Sequence, residues 1–323
     1  MKLLKPALFA LALACAAQAM ADEAYPARPI RIFVGFAPGG GTDITARIIA
    51  PRMSERLGQP VIIENRPGAG GNLATEAVAK SAPDGYTLLM GTIAALAINP
   101  SLYKNLPFDP AKDLTPISLG VSLANVVVVN SSLTVKTLPE LIALAMQQPG
   151  KISYSSSGNG TAGHLSGALF ESMANVSLLH VPYKSGGQAM NDLIGGQVNM
   201  SFAAAPGAIP QIKAGKIRAL AVTTRARSVF LPDVPTVAEA AGIKGYESSN
   251  WYGLVGPARL PKPIVDKLNA AMVATLNEPA IREKLALQGL EPTPSSPEEF
   301  SAFLRAELAK WAKVVKDTGS QPD

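Results

Sequence analysis

The chain has 323 residues, 47% of them apolar and 16% charged, with one cysteine and two histidines. That length suggests two α/β-sized units with real cores, and the composition excludes a disordered chain. The net charge of +5 contains no run of Lys or Arg, so a nucleic-acid stripe is excluded, and Arg225-Ala226-Arg227 reads as a solvated turn.

The N-terminus sets the compartment. Lys2 and Lys5 precede an apolar stretch from Ala7 to Ala17, and Ala19-Met20-Ala21 places small residues before Asp22. This is the anatomy of a secretory signal peptide, 1–21, cut near Ala21. The stretch is too short to span a bilayer, which takes about 20 apolar residues. Cys15 lies inside it; two readings stand, an acylation site or a residue discarded with the signal. In the second, no disulfide, thiol nucleophile or thiolate metal site remains. Loss of 1–21 leaves a charge of +3, and mild basicity steers anions weakly.

Short apolar runs then alternate with helical patterns, which predicts parallel sheets with crossover helices. Strands are expected at 30–36, 61–64 and 86–90, with a helix from Asp43 to Leu57 stopped by Gly58 and another running to Lys80. The pattern resumes with strands at 126–129, 151–155, 178–181, 198–202, 217–223 and 251–255, and helices at 138–147, 161–174 and 187–194. Two further helices are expected near 263–276 and 298–317. The sections 30–64 and 151–181 read alike: strand, Gly/Ser loop, helix, strand. The chain therefore looks like two similar α/β lobes, 22–122 plus 247–323 and 123–246, joined at crossings near Gly120–Ala124 and Gly245–Trp251. The C-terminal helices are too short of strands to form a third lobe and should pack back on one of the two.

Two loops carry the candidate chemistry. Ala37-Pro38-Gly39-Gly40-Gly41-Thr42-Asp43 turns a strand into a helix, leaving backbone N–H groups at a positive helix start, and its glycines let an anion approach. Thr42 or Asp43 as a helix cap is the plainer reading, and the two are compatible. Arg47, four residues beyond Asp43, reads as its local ion-pair partner. The second loop, Ser155-Ser156-Ser157-Gly158-Asn159-Gly160-Thr161, offers hydroxyls and amides to a carboxylate or hydroxyl ligand. It also matches G-x-G-x-x-G, but Leu179-His180-Val181-Pro182 lacks the acid a dinucleotide fold needs.

His164 begins a helix beside that loop, where it could touch ligand; His180 ends an apolar strand and reads as structural. No Gly-x-Ser-x-Gly elbow and no metal-type histidine spacing occurs. Neither a catalytic set, a metal nor a cofactor is expected. A serine paired with His164 is the enzyme alternative, a periplasmic hydrolase. Trp251 and Tyr252 read as core or hinge packing, with an aromatic wall to the ligand as the alternative.

Many stretches in one order carry a family resemblance: Pro38-Gly-Gly-Gly-Thr-Asp43, Glu64-Asn-Arg-Pro-Gly-Ala-Gly-Gly-Asn72, Pro83-Asp-Gly-Tyr-Thr-Leu-Leu89, His180-Val-Pro-Tyr-Lys184, Asp233-Val-Pro-Thr-Val237 and Trp251-Tyr-Gly-Leu254. Across nearly its mature length the chain resembles the Bug/TctC family, extracytoplasmic solute receptors of tripartite tricarboxylate transporters. The resemblance implies a two-lobed, type II periplasmic-binding-protein (Venus-flytrap) fold with a two-segment hinge, and a carboxylate held between the lobes. It sets the loop from Phe36 to Asp43 against that from Ser156 to Thr161. Thr92 and Ile93 would line the pocket, as would the stretch holding Ala203 and Ala204, where relatives often carry a polar or acidic residue. Those alanines, and the absence of an Arg, point to an acid without an amino group held by backbone amides and waters. The implied partners are transporter membrane subunits, with no nucleic acid and no membrane insertion, for a monomer in the periplasm. A sensor presenting ligand to a membrane kinase is the alternative.

Overall fold

The computed structural model describes residues 25–321. The expected signal segment 1–21 and Cys15 lie outside them.

Strand β1 (Ile30–Val34), helix α1 (Gly41–Leu57) and strand β2 (Val61–Asn65) form a parallel βαβ unit. Gly58 in the left-handed conformation stops α1, and its amide bonds the Ser54 carbonyl at 2.9 Å. Helix α2 (Asn72–Ala79) leads to β3 (Thr87–Thr92), parallel to β1 on its other side. β3 is buried along its whole length, as a parallel strand covered on both faces should be. A π-type turn at Ala94–Ile98 runs into the short helix α3 (Asn99–Leu102), and α4 (Pro110–Asp113) follows.

The first crossing is not a loop. β4 runs unbroken from Leu114 to Asn130. Its first half pairs antiparallel with β9 (Ser249–Pro257), and its second half lies between β7 (Met200–Ala204) and β8 (Ile217–Val222). Only Val126–Val129 stands out as an apolar run. Pro116, Gly120 and register shifts between Pro116 and Ser118 and between Leu119 and Val121 hide the rest. The two strands that pass between the lobes are therefore hydrogen-bonded to each other from Leu114↔Pro257 to Ala124↔Ser249.

The second half repeats the first. α5 (Leu138–Gln147) precedes β5 (Ser153–Ser156), which continues through α6 (Ala162–Ala174) to the parallel β6 (Leu179–Pro182). α7 (Gly186–Ile194) leads to β7, parallel to β5, and α8 (Ala205–Lys213) leads to β8. α8 escapes sequence reading because Pro206, Gly207 and Pro210 mask it. Pro206 falls in the first turn, where its missing N–H has no partner to lose. α9 (Val237–Ala241) opens on a capping box between Thr236 and Glu239.

Each lobe buries an apolar cluster on both faces of its part of the sheet. The C-terminal helices belong to the first lobe. α10 (Lys262–Leu276) packs Leu268 and Met272 with Ile49 and Met53 of α1. α11 (Pro279–Leu287) follows, then β10 (Glu291–Pro292), which pairs with β4. α12 (Pro297–Thr318) packs Phe300, Leu304 and Trp311 with Phe33 and Trp251. Glu307, buried on α12, accepts from the indole N–H of Trp251 at 2.8 Å and of Trp311 at 3.1 Å. Trp251 is thus core packing beneath the crossing strands. Among the described residues no helix is long and apolar enough to cross a membrane.

Candidate functional site

A cavity of about 370 Å³ lies between the lobes where β4 and β9 pass. That is within the range of small-ligand sites, about 300–1,000 Å³. Asn125, Asn250 and Tyr252 of the crossing strands contribute to its wall.

The first lobe contributes the glycine loop and the start of α1. Gly39 has φ +83°, a left-handed conformation natural to glycine. Gly41 must be small, since a Cβ there would stand 2.7 Å from the Tyr252 hydroxyl. The N-cap residue Gly40 has no side chain to cap the helix, so the first-turn amides keep no side-chain partner beside the cavity. Asp43 points the other way. Its carboxylate accepts from the Gly39 amide at 2.9 Å, from Arg47 Nε at 2.9 Å and from Asn65 Nδ2 at 2.9 Å, and Asn65 also donates to the Phe36 carbonyl at 3.0 Å. Burial pushes the Asp43 carboxyl up, but these donors outweigh it and hold it below the ordinary aspartate value. The Arg47 ion pair read from spacing is present.

The second lobe mirrors this. At the end of β5, Ser156 Oγ accepts the Gly158 amide at 3.1 Å and lies 2.7 Å from His180 Nε2. Thr161 is the N-cap of α6, but its hydroxyl donates to the Gly158 carbonyl at 2.6 Å rather than capping the helix. The amides at the start of α6 are therefore also uncapped, and Ala162 and Gly163 line the cavity. Gly163 brings α6 against β7, since a Cβ would meet the Phe202 carbonyl at 2.8 Å. His164 Nδ1 accepts the Gly160 amide at 3.1 Å, and its ring stacks on His180 with centroids 4.3 Å apart. His180 in turn stacks on Tyr154.

The structure thus gathers Phe36, Gly39, Gly40, Gly41, Thr42, Thr92, Ile93, Ser156, Ser157, Thr161, Ala203 and Ala204 around one cavity. Pro38, Asp43, Gly158 and His164 are off its wall. Asp43 and His164 are turned to their loops, which they pin. Ser156 Oγ meets His180, and the same oxygen is tied to Gly158.

Sequence reading overlooked several lining groups: Asn125 and Asn250, the α7 start at Gly186–Gly187, Pro206, Gly207, Pro210 and Gln211 of α8, and Gln288. A signal existed for some. Asn125 and Asn250 each stand immediately before an apolar run, and Gly186-Gly187 opens a helix as Gly40-Gly41 does. Tyr252, the alternative aromatic wall, does line the cavity. Its phenol is pushed up to about 12 by burial, against a hydrogen bond with Thr42, so it stays neutral. No Asp, Glu, Lys, Arg or His lines the cavity. Thr92 belongs to the wall, but its Oγ1 is buried from solvent, without a hydrogen-bond partner.

Two α/β lobes joined by paired strands, with a neutral cleft between them, define a two-lobed solute-binding protein of the periplasmic type. Residues 45–320 match the tripartite tricarboxylate transporter family receptor, TctC, and the chain belongs to that family. It is 37% identical to protein BugT of Bordetella pertussis over 312 residues, covering 96% of this chain and 95% of BugT. It is similar in structure to Rpa4515 of R. palustris, solved with adipate, at TM-score 0.89 and 39% identity, over 93% of this chain and all of that one. MatC of Rhodopseudomonas palustris, solved with bound malate, matches at TM-score 0.86 and 33% identity, over 90% of this chain and all of MatC.

Proposed function

We propose that this protein is a periplasmic receptor that closes two lobes on a small carboxylate and delivers it to the membrane subunits of a tripartite tricarboxylate-type transporter. The solute is a dicarboxylate or an aromatic or other organic acid, bound without chemistry by a monomer. Residues 1–21 direct export and are removed near Ala21; the lobes are 22–122 plus 247–323 and 123–246, hinged where β4 and β9 pass.

The observation that carries the proposal is the pair of uncapped helix starts, α1 from one lobe and α6 from the other, lining one cavity. Helix starts carry partial positive charge and free N–H donors, which suit an anion. Closure would bring the two together on one ligand. The adipate and malate of the two compared structures are both small dicarboxylates, which supports the same class here.

The test is a thermal shift of the refolded, ligand-free protein against a panel of small acids. A ligand at 100 times its Kd should stabilise the fold by about 2.7 kcal/mol, a rise of several degrees. A folded sample that no acid stabilises would sink the proposal.

A further inference from the structure

We infer that Asn99 works against closure: its side-chain oxygen is denied a hydrogen-bond partner only while the lobes touch, a penalty that reopens the empty protein and lowers its hold on the solute. This rests on the receptor function proposed above and adds a residue, off the cavity wall, that sets its affinity.

Asn99 belongs to the first lobe, at the start of α3, and is fully buried. Its Nδ2 donates to Asn72 Oδ1 of the same lobe at 2.7 Å. Its Oδ1 is buried from solvent and accepts no hydrogen bond. The second lobe supplies the cover. Gly160 passes so close that a Cβ on it would stand 2.1 Å from Asn99 Oδ1 and 2.9 Å from Leu102 Cδ2. The neighbouring Asn159 carbonyl abuts Gly70 of the first lobe, where a Cβ would meet it at 2.9 Å. The Gly160 amide is spent on His164 Nδ1 at 3.1 Å, so the covering residue has no N–H to offer. Turning both carboxamides over would only exchange an orphaned acceptor for an orphaned donor at the same place.

Covering a polar group without a partner shifts the balance between two states by a factor of about 5–100. A Cα–H contact offsets only a small part of that. When the lobes part, Gly160 leaves Asn99 Oδ1 to water, while the bond to Asn72 stays, because it lies within the first lobe. The penalty therefore falls on the touching form alone. Apolar contacts favour that form, since Ala162 and Leu165 of α6 cluster with Ile98 and Leu102, and Asn99 opposes them. Apparent affinity is the intrinsic affinity scaled by the fraction of protein in the binding form. An orphaned oxygen in the touching form lowers affinity by the same factor and keeps the empty protein open to load.

The experiment removes both carboxamides. Asn99→Ala combined with Asn72→Ala leaves no orphaned acceptor where the lobes meet. Calorimetry of the refolded, ligand-free proteins uses adipate, malate and succinate. Any of these that binds the native protein should bind the double variant about fivefold more tightly or better. If Asn99 instead helped closure by contact, its loss would weaken binding, so unchanged or weaker affinity overturns the inference. Asn99→Asp is the reverse variant. It keeps the shape, and Asn72 can turn to donate to it. A carboxylate is harder to cover than a carboxamide, so the same acids should bind about tenfold more weakly or worse; native affinity here also overturns the inference. Small-angle scattering of the empty proteins needs no ligand. The native protein should be wider than the form with touching lobes, and the double variant should move towards that form. Native protein that already scatters as the touching form when empty overturns the inference. A double variant that fails to fold leaves the decision to Asn99→Asp and the native scattering. Silence from all three acids in folded native protein counts against the receptor function, and scattering then decides the inference alone.

Discussion

Asp43 shapes the glycine loop from behind. Its carboxylate ties the loop amide of Gly39 to Arg47 of the helix and to Asn65 of the next strand, so one buried group holds three segments in register. Asp43→Asn keeps the size and removes the charge. It should lower stability by about 1.5–3 kcal/mol, the range for a charge-assisted hydrogen bond, read by chemical denaturation near neutral pH. The pH dependence has a defined sign. The folded carboxyl is held below its ordinary value, so its contribution is complete above the unfolded pKa of about 3.9 and is lost as pH falls through the lower folded value. The difference between native and Asp43→Asn protein should therefore shrink on acidification below about pH 4. A difference that persists unchanged at pH 2 would show that the charge is not what holds the loop. The Asp43–Arg47 pair was legible in the i, i+4 spacing. The choice between ligand contact and loop pin was not, because it depends on Asn65, distant in sequence.

At the scale of elements, the seat of α6 matters most. Gly160 has φ +74°, and a Cβ there would overlap the buried Asn99 carboxamide of the first lobe. Asn99 is itself held by a 2.7 Å bond from its Nδ2 to Asn72 Oδ1. Ala162 and Leu165 of α6 pack into the first lobe's cluster with Ile98 and Leu102. The second loop is therefore set directly on the first lobe as well as on its own. Gly160→Ala should lift that loop and weaken ligand binding by tenfold or more, while the second lobe's own core stays folded. Calorimetry with the acid identified by the thermal-shift panel gives the affinity, and small-angle scattering with and without that acid reports whether the lobes still close. Native affinity in this variant would show that the loop adapts without cost. The glycines of this loop were visible in sequence as ligand-facing candidates. Their second duty, close packing across the lobes, was not, since it depends on Asn99 some 60 residues earlier.

For the whole molecule, α12 ties the C-terminus to the crossing strands. Trp251 of β9 and Trp311 of α12 share the Glu307 carboxylate, and both rings are buried. Trp311→Ala should cost about 3–5 kcal/mol, as large-to-small core changes do. Urea unfolding would measure it. A loss under about 1 kcal/mol would mean that α12 is not integral to the first lobe. Lys310, also on α12, pairs with Glu247 at 2.8 Å beside the start of β9, so the helix braces the crossing at more than one point.

Sequence alone determined the α/β grammar. Apolar period and turn residues are local, so β1, α1, β5 and α6 and the two glycine loops could be placed from their own residues, and the ordered motifs carried the family. Tertiary structure decided the rest. It made the crossings one continuous strand, β4, paired with β9, because pairing between residues more than 100 apart overrides Pro116 and Gly120. It formed α8 from a proline-rich stretch, because Ala208 and Ile209 gain burial against the second lobe's core. It also turned Asn125, Asn250 and Tyr252 into the cavity wall. A side chain's neighbours across a cleft are set by how two lobes meet, and no local pattern encodes that.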